Sequence, residues 1–456
     1  MGVSYSAPSC VPAVLPPKPA APSLAALTSP RAWLVSLARN SILSVLRHSI
    51  KTGHLEIEDT DGSVYTFGRR PKHQEPVLLK IVNDEFWIRV VVSSDLGFSE
   101  AYIYGDVLIS DLKAVMQLYL DNTDIISALP SALARLSATF SALSSAFFGQ
   151  SKTQALANVV VSYDQSNALF QAFLSREMMY SCALWGPEEG GPAGDLDLAL
   201  SAHEKQAYFD IERAQLRKIH HVLRKARVGR GDKLLEVGSG WGAMAIVAAR
   251  DYGCTVHTLT LSVEQQKLAQ QRIRAAGVAD RATVHLMDYR DVLARPEWKH
   301  AFDAFVSVEM VEHVGAKYYN TYFKVVDYAL KERDATAVVS CSTFPESRYT
   351  GYQAEDFMRR YMWPNSCLPS ATTLVNAAQV GAHGRLMLEG VENHAAHYPR
   401  TLRTWSARFR AHVTRTLLPF AHYDAFMRKW AYFFAYAEVG FERGWITCHM
   451  LCFRRC

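Results

Sequence analysis

The chain has 456 residues, enough for two or three domains, and 49% hydrophobic with 20% charged residues is an ordinary globular composition. The net charge is only +5 without a dense Lys/Arg cluster, which excludes nucleic acid as a partner and suits contact with an anionic membrane surface. Eight scattered cysteines indicate reduced thiols. Cys448, Cys452 and Cys456 are evenly spaced on a predicted strand without a C-x-x-C pair, so we predict no metal site.

The N-terminal part combines a Pro/Ala-rich segment with an arginine-bearing helical pattern. Residues 1–30 are predicted to be disordered, and Gly2 lies in an M-G-x-x-x-S myristoylation pattern, a kind of match that chance often produces. No acidic residue precedes Glu56, as in a transit peptide, but a structural helix is favoured because the segment runs directly into strand patterns. We predict no transmembrane span and expect a cytoplasmic protein that associates peripherally with membranes.

Three regions follow along the chain. Residues 54–120 show two-residue alternation and turn signals, which predict a small α/β domain over 31–121. A Ser/Ala-rich stretch predicts a helical connector over 122–153. Residues 154–456 alternate strand and helix patterns, which predict an open, mainly parallel sheet. Its strands are expected near 233–238, 255–260, 283–287, 303–308 and 335–341, with a final hairpin near 385–391 and 446–453.

The most informative stretch reads K-L-L-E-V-G-S-G-W-G, where a short apolar strand carries Glu236 near its end and alternate glycines follow. Gly238 and Gly240 let the backbone approach a ligand closely, and the next helix offers unpaired N–H groups at its start. A nicotinamide cofactor is disfavoured, because the third glycine comes one residue early and Thr260 stands where a ribose-binding acid would be. The spacing favours S-adenosylmethionine.

Further cofactor-binding residues follow the second and third strands. Asp288 could accept from the adenine amine, and Tyr289 could stack on the ring or only pack against the protein. Four residues at the end of the second strand and just after it lie where ribose and adenine would pass: Thr260, Leu261, Ser262 and Gln265. Ser262 would also suit a helix cap.

Several motifs extend this reading over most of the chain: Y-D-Q-S-N-A-L-F, M-M-Y-S-C-A-L-W, E-V-G-S-G-W-G, V-S-V-E-M-V-E-H-V-G, H-Y-P-R-T-L-R-T-W and A-Y-F-F-A-Y-A-E-V-G-F. In this order they resemble the cyclopropane-fatty-acyl-phospholipid synthase family, which includes the mycolic acid cyclopropane synthases. The resemblance implies a Rossmann-like class I methyltransferase fold, an α/β architecture with a seven-stranded, mainly parallel sheet, plus a lipid-binding-like N-terminal domain. It also implies that Tyr180 and Ser181 close over S-adenosylmethionine.

The implied reaction transfers the methyl carbon of S-adenosylmethionine to a double bond of an unsaturated phospholipid acyl chain and closes a cyclopropane ring. Methyl transfer to one olefinic carbon leaves a carbocation on its neighbour. The site must therefore exclude water, surround the cation with aromatic faces and provide a base. The C-terminal half is rich in Tyr, Trp and Phe residues that could form such a pocket. The expected partners are acyl chains at a membrane surface, and the protein could form a homodimer.

In the family a bound bicarbonate is the proposed base, held by a cysteine, a glutamate, a histidine and a tyrosine. Cys182 in Y-S-C matches the cysteine, and Glu312 in E-H-V-G matches the glutamate. The histidine is missing, because its place reads Ser340-Cys341-Ser342. The tyrosine is in doubt, because the family's Tyr-Tyr pair reads Tyr432-Phe433.

These departures leave three alternatives. Ser340, Ser342 and Tyr432 could hold the anion through their hydroxyls. Glu312 could act directly as the base. The cation could also be resolved by a hydride shift or by loss of a different proton, which would give a methyl-branched or methylene product. We favour the cyclopropane product.

Two other roles and two other functions stay open. Arg400 and Arg403, in the segment after His397, could meet a phosphate headgroup or serve only as surface charges, and His220 and His221 are read as a solvated pair. A small-molecule N-methyltransferase of the coclaurine type shares these motifs, but the N-terminal domain argues against it. An inactive lipid-binding protein is disfavoured by the complete cofactor loop.

Overall fold

The computed structural model describes residues 30–69, 75–123, 166–196, 204–417 and 422–455. The predicted disordered segment with Gly2 and most of the predicted connector over 122–153 lie outside the described residues, as does Cys456. Helix α1 begins at Pro30, and its buried side chains include Leu34, Ala38 and Leu43.

The N-terminal region is a four-stranded sheet packed against helices. Its strands lie in the order β2-β1-β3-β4, with β1 antiparallel to β2 and parallel to β3. Alternate residues of β1 are buried, so its apolar face lies on the core and its polar face is more accessible. The elements are α1 (Pro30–Ser49), β1 (His54–Glu58), β2 (Val64–Gly68), β3 (Val77–Ile81), α2 (Glu85–Tyr104, with a kink at Ser94), β4 (Val107–Ile109) and α3 (Leu112–Asp121).

The second sheet has seven strands in the order β10-β11-β9-β8-β5-β6-β7. Six of them run in the same direction, and β11 runs antiparallel to both of its neighbours, β9 and β10. This confirms the predicted sheet. The strand that differs most from its predicted bounds is β10, which spans 387–393 where 385–391 was expected. The strands are β5 (Lys233–Val237), β6 (Thr255–Thr260), β7 (Ala282–Leu286), β8 (Ala304–Val308), β9 (Thr336–Thr343), β10 (Met387–Asn393) and β11 (Thr447–Arg454).

Helices alternate with these strands and cover the sheet. Serine side chains cap three of them, since Ser166, Ser262 and Ser370 each accept from the third residue of α4, α7 and α9 respectively. The longer helices are α4 (Asn167–Phe173), α5 (Glu204–Lys225), α6 (Ala243–Asp251), α7 (Val263–Ala275), α8 (Tyr319–Ala329), α9 (Ala371–Gly381), α10 (Tyr398–His412) and α11 (Tyr423–Glu442).

The strand order reverses between β5 and β8. The chain runs outward from β5 through β6 to β7, then returns to β8 on the other side of β5 and continues to β9. In such sheets the ligand lies outside the carboxyl ends of the strands at this reversal. The ends of β5 and β8 therefore mark the expected position of the site.

Helix α11 connects the two regions. It packs against α2 and α3, where Lys113 Nζ lies 2.9 Å from Glu438 Oε1 and Arg428 Nε donates to the Ile103 carbonyl at 2.8 Å. Among the described helices, none combines the length and the apolar character that crossing a bilayer requires.

Candidate active site

The glycine loop after β5 is anchored at its start and open further along. Gly238 has a φ of 102°, which residues with a Cβ rarely adopt. The N–H groups of Gly238 and Ser239 both donate to the Leu259 carbonyl, at 3.0 and 2.8 Å, which fixes the loop against β6. A Cβ at Gly240 would have no heavy atom within 4 Å. A ligand can therefore approach the backbone at Gly240.

Glu236 is a buried carboxylate at the end of β5. It is 5% exposed, and its Oε2 has no hydrogen-bond partner among the described residues. Burial raises the pKa of Glu236 to about 8, although the Thr258 hydroxyl and the Lys218 charge act in the opposite direction. An unsatisfied buried group costs about 1–3 kcal/mol. The ammonium and hydroxyl groups of S-adenosylmethionine are donors of the kind that this oxygen lacks, so that cofactor fits the position.

The residues after β6 are tied to one another. The Thr260 hydroxyl donates to Gln265 Oε1 at 2.8 Å and accepts from the Ser262 N–H at 3.1 Å. Ser262 Oγ accepts from the Gln265 N–H, so the alternative role of this serine as a helix cap is present. Leu261 is 71% exposed. This turn thus offers an accessible apolar side chain beside a fixed set of polar groups.

Asp288 and Tyr289 follow β7 as predicted, and Arg290 contacts both. Asp288 accepts from the Arg290 backbone N–H at 2.9 Å and from its guanidinium, and these hydrogen bonds lower the pKa of Asp288. The Arg290 guanidinium also lies 5.7 Å from the centre of the Tyr289 ring, and that ring contacts Tyr322. Asp288 is therefore ionised and already paired at this edge of the sheet.

Tyr180 and Ser181 lie on the segment before the short helix Pro187–Glu189. The Ser181 hydroxyl accepts from Lys218 Nζ at 2.5 Å, and the Ser181 carbonyl accepts from Gln215 at 2.8 Å. Both donors belong to α5, which therefore fixes this segment. Burial lowers the pKa of the Lys218 ammonium to about 8.

A cluster of rings, here called the aromatic group, adjoins the cofactor loop. Trp241 follows Gly240 directly, its ring centre lies 5.0 Å from Phe170, and Phe170 lies 5.1 Å from Tyr180. Tyr180 in turn contacts Trp363 and Trp405. The group comprises Phe170, Phe173, Tyr180, Trp241, Trp363, Trp405, Trp430, Phe433 and Phe434. It provides the apolar surroundings that an acyl chain and a carbocation require.

Glu309, which sequence reasoning missed, follows β8 with a backbone φ of 51°. Its Oε1 accepts from the Cys182 backbone N–H at 2.8 Å, and its Oε2 accepts from the Tyr398 hydroxyl at 2.5 Å. Desolvation raises the pKa of Glu309, while these hydrogen bonds and the nearby Lys218 charge favour the ionised form. Glu309 is thus a held carboxylate beside the predicted cysteine.

Glu312 lies close to Glu309 in a short helical turn. It is 7% exposed; its Oε1 accepts from the Ser342 backbone N–H at 2.6 Å, and its Oε2 has no hydrogen-bond partner among the described residues. Burial, and then the charge of Glu309, raise the pKa of Glu312 to about 8. One oxygen of Glu312 is therefore available to take up a proton. His313, next in the chain, is exposed.

The predicted catalytic residues are brought together except for Tyr432. Glu309 contacts Cys182 and also Ser340, whose carbonyl accepts from the Glu309 N–H at 2.7 Å, while the neighbouring Glu312 contacts Ser342. Ser340 and Ser342 contribute through their backbones in these contacts, whereas the sequence suggested their hydroxyls.

Tyr432 lies with a different set of residues. Its ring packs on Phe357 at 4.6 Å, on Tyr436 and on Tyr102 of α2. Burial raises the pKa of Tyr432, and the charges of Asp95 and Asp356 raise it further. The alternative in which Tyr432 replaces the family's tyrosine is therefore wrong in this structure, because its side of α11 faces the N-terminal region. The hydroxyl beside the carboxylates comes instead from Tyr398 in the H-Y-P-R-T-L motif.

Arg400 and Arg403 are bound inside the protein. Arg400 is 3% exposed, donates to the Glu189 and Gly191 carbonyls and lies over the Trp185 ring at 4.1 Å. Arg403 pairs with Asp195 and with two glutamates of α11. The headgroup role considered for these arginines is therefore not supported, since their charges are already paired.

Among the described residues, one group has the donor types of a metal site: His221, Glu392 and His394. His221 Nε2 lies 2.6 Å and His394 Nε2 lies 3.1 Å from Glu392 Oε2, and Lys225 pairs with the other oxygen. Although burial opposes it, the hydrogen bonds from Lys225 and His221 lower the pKa of Glu392 to about 2. His221 is thus paired rather than simply solvated, and the lysine ammonium already neutralises the carboxylate.

Comparison with known proteins shows the family to which this chain belongs. The profile described as Mycolic acid cyclopropane synthetase matches residues 150–451. Tuberculostearic acid methyltransferase UfaA1 of Mycobacterium tuberculosis is 33% identical over 356 residues, which cover 78% of this chain and 77% of that protein. Cyclopropane-fatty-acyl-phospholipid synthase of Escherichia coli is 32% identical over 343 residues, covering 74% and 77%.

A solved structure shares the fold. Mycolic acid cyclopropane synthase CmaA1, complexed with SAH and CTAB, superposes with a TM-score of 0.53 at 22% identity, over 66% of this chain and 98% of that one. The fold is that of a class I methyltransferase, and the cofactor is S-adenosylmethionine. The chain therefore belongs to the mycolic acid cyclopropane synthetase family of S-adenosylmethionine-dependent methyltransferases.

Proposed function

We propose that this enzyme transfers the methyl carbon of S-adenosylmethionine to a double bond of an unsaturated phospholipid acyl chain and closes a cyclopropane ring. The observation that carries the proposal is the aromatic group, which runs from the cofactor loop at Trp241 through Phe170 to Tyr180. Tyr180 is followed two residues later by Cys182, whose N–H is held by Glu309. A series of contacting aromatic rings thus connects the cofactor loop with the carboxylates.

S-adenosylmethionine, when bound, supplies an electrophilic methyl group. Glu236 and the loop at Gly238 and Gly240 would hold it, with Thr260 and Gln265 at the ribose side. The rings of the aromatic group exclude water, which would otherwise trap a carbocation as an alcohol, and each ring face stabilises positive charge by about 1–2 kcal/mol when desolvated. These residues offer the cation no strong nucleophile.

Glu312 is the base in this proposal. Ring closure requires that a proton leave the newly attached methyl group while its carbon bonds to the neighbouring cationic carbon. Glu312 Oε2 is buried and has no hydrogen-bond partner in the described part of the chain, so it can receive that proton. Ser342 holds the other oxygen and thereby orients the carboxyl group.

Methylation without ring closure is a second candidate outcome. It is favoured by the serines at the family's histidine position and by Tyr432, whose ring packs on Phe357 and on Tyr102 of α2. Loss of a proton from the chain itself would leave a methyl-branched alkene. A hydride shift followed by loss of a methyl proton would leave a methylene group.

The lipid class is also part of the proposal. A relative at 32% identity is named for fatty acyl phospholipids, and the mild positive charge of this chain suits transient contact with an anionic membrane surface. We therefore infer peripheral action on phospholipid vesicles.

The test uses S-adenosylmethionine with a trideuterated methyl group and vesicles of monounsaturated phospholipid, with saturated vesicles as the control. Mass analysis of the released fatty acids should show one added carbon that carries two deuterium atoms, and no product from saturated chains. Carbon-13 NMR should place that carbon in a cyclopropane ring, because a methylene product would also retain two deuterium atoms. Three retained deuterium atoms would indicate methylation without loss of a methyl proton. Label confined to a nitrogen-containing headgroup would contradict the proposal and indicate an N-methyltransferase.

A further inference from the structure

The bicarbonate that the family resemblance implies can be tested against the groups that would hold it. The Cys182 N–H already donates to Glu309 Oε1 at 2.8 Å. The Cys182 thiol points to backbone carbonyls, with Sγ 3.4 Å from the Ala183 oxygen and 3.7 Å from the His394 oxygen. The Tyr398 hydroxyl donates to Glu309 Oε2. The donors on this side of the site are therefore satisfied by a side chain of the protein.

Electrostatics also oppose a free anion at this place. Glu309 and Glu312 are close enough that the charge of one disfavours ionisation of the other. A further negative charge in the same desolvated space would be repelled by Glu309. A bound bicarbonate does not fit these residues.

The backbone at Glu309 is held in a conformation that a glutamate seldom adopts. Its φ is 51°, and the N–H donates to the Ser340 carbonyl of β9 at 2.7 Å. Strained non-glycine residues persist where the surroundings fix them, and they concentrate at functional sites. The strain turns the chain directly after β8 and places the carboxylate between Cys182 and Tyr398.

We infer that the Glu309 carboxylate takes the place of the bound anion, so that the anion of this active site is part of the chain itself. The inference rests on the proposed function. Glu309 is a positioning residue: it holds the Cys182 segment and the Tyr398 hydroxyl, and its negative charge favours a cation forming on the acyl chain.

Charged and titratable groups face Glu309 from several elements. Lys218 of α5 supplies a positive charge, and its Nζ is fixed by the Ser181 hydroxyl. The Tyr398 hydroxyl faces Glu309 from α10, and the Glu312 carboxyl lies on the turn after β8. The charge of Glu309 also raises the pKa of two buried thiols, those of Cys341 on β9 and Cys448 on β11. The Lys218 charge favours the ionised form of Glu309 and partly offsets its desolvation.

The first test measures methyl transfer by the full chain in buffer depleted of carbon dioxide, with and without added bicarbonate. The wild-type rate should be the same in both. Glu309→Ala, which removes the carboxylate and leaves room beside its donors, should lose about 100-fold and regain activity when bicarbonate or formate is added. Glu309→Gln fills the same space without charge, so it should lose activity without rescue.

A bicarbonate-stimulated wild type, or a Glu309→Ala variant that no small anion rescues, would overturn the inference. A second measurement works even if the lipid substrate is different. The NMR signal of carbon-13-labelled bicarbonate should broaden when Glu309→Ala is added, because the ion binds, and should stay sharp with the wild type or Glu309→Gln. Broadening by the wild type would contradict the inference. Methyl transfer absent from the wild type in both buffers would instead contradict the proposed function.

Discussion

At the scale of single residues, two neighbouring carboxylates do different work. Glu309 has both oxygens engaged, by Cys182 and Tyr398, whereas Glu312 keeps one oxygen without a partner among the described residues. A group that accepts a proton needs a free lone pair directed at the substrate. The contrast assigns charge to Glu309 and proton transfer to Glu312.

Glu312→Gln should lower turnover by about 10²–10⁴-fold, because the amide retains the shape of the side chain but accepts no proton. Calorimetric affinity for S-adenosylhomocysteine should stay near that of the wild type. The matched control is Glu297→Gln, whose carboxylate is 61% exposed and should leave turnover unchanged. Unchanged turnover in Glu312→Gln would refute its assignment as the base.

The pH dependence should report the coupling between the two acids. Burial and the Glu309 charge hold the pKa of Glu312 at about 8, so the base form is lost as pH falls through that value. The single-turnover rate of the wild type should therefore decrease below about pH 8. In Glu309→Gln the repelling charge is absent. The pH at which the single-turnover rate falls to half of that variant's own maximum should therefore be lower than in the wild type. An unchanged half-maximal pH would show that the charge of Glu309 does not act on the base.

The residues that sequence reasoning missed share a physical reason. Glu309 lies in the quoted motif V-S-V-E-M-V-E-H-V-G, directly after a strand, and its position was a signal that could have been used. Tyr398 also lies in a quoted motif, but its hydroxyl meets Glu309, 89 residues away in sequence, only through the tertiary fold. Lys218 lies in an amphipathic helix pattern, where nothing local distinguishes a buried lysine from a solvated one.

At the scale of elements, the glycine loop combines two constraints that mutation can separate. Gly240 and Gly242 both have positive φ, so alanine at either position costs about 1 kcal/mol in backbone strain. A Cβ at Gly240 meets open space, whereas a Cβ at Gly242 would lie 3.2 Å from Ala269 Cβ in α7.

Gly240→Ala should therefore weaken binding of S-adenosylhomocysteine more than it lowers stability. Gly242→Ala should lower the free energy of unfolding more, because α6 must move away from α7. Calorimetric titration and urea denaturation measure the two effects. Equal losses of affinity and stability in both variants would contradict the assignment of Gly240 to the cofactor surface.

Arg403 tests whether α10 carries a headgroup site or an internal connection. Arg403→Ala should lower the free energy of unfolding by about 1–3 kcal/mol, because it removes the hydrogen-bonded charge partner of Asp195 and leaves Glu438 paired with Lys113 alone. Binding to phospholipid vesicles, measured by cosedimentation below the unfolding transition, should not change. A selective loss of vesicle binding with normal stability would restore the headgroup role.

The strands were predictable because short apolar runs between turn signals have few alternative structures. The face of α11 was not. Tyr432 and Phe433 are adjacent, and adjacent helix residues point about 100° apart, so the sequence gives no indication which of them faces the site. The docking of α2 and α3 decides it, since Tyr102 of α2 contacts Tyr432 while Phe433 contacts Trp363 of the aromatic group.

At the scale of the whole molecule, two sheets and one aromatic core define the site. The parallel sheet places Glu236 and Glu309 at the ends of adjacent strands, β5 and β8, where the strand order reverses. Helices α4, α10 and α11 bring the aromatic group over this edge, and α11 also carries the N-terminal region. The family resemblance predicted the seven-stranded fold and its cofactor, while the internal carboxylate required the tertiary contacts.

The central claim is that the methyl group is delivered to a carbon–carbon double bond. The most direct measurement is carbon-13 NMR of lipid extracted after reaction of the purified chain with S-adenosylmethionine labelled in its methyl carbon and with monounsaturated phospholipid vesicles. The labelled carbon should appear at the high field typical of a cyclopropane ring, bonded to two carbons of the acyl chain. Label found only in N-methyl or O-methyl signals, or a chain with no affinity for S-adenosylmethionine, would contradict the account.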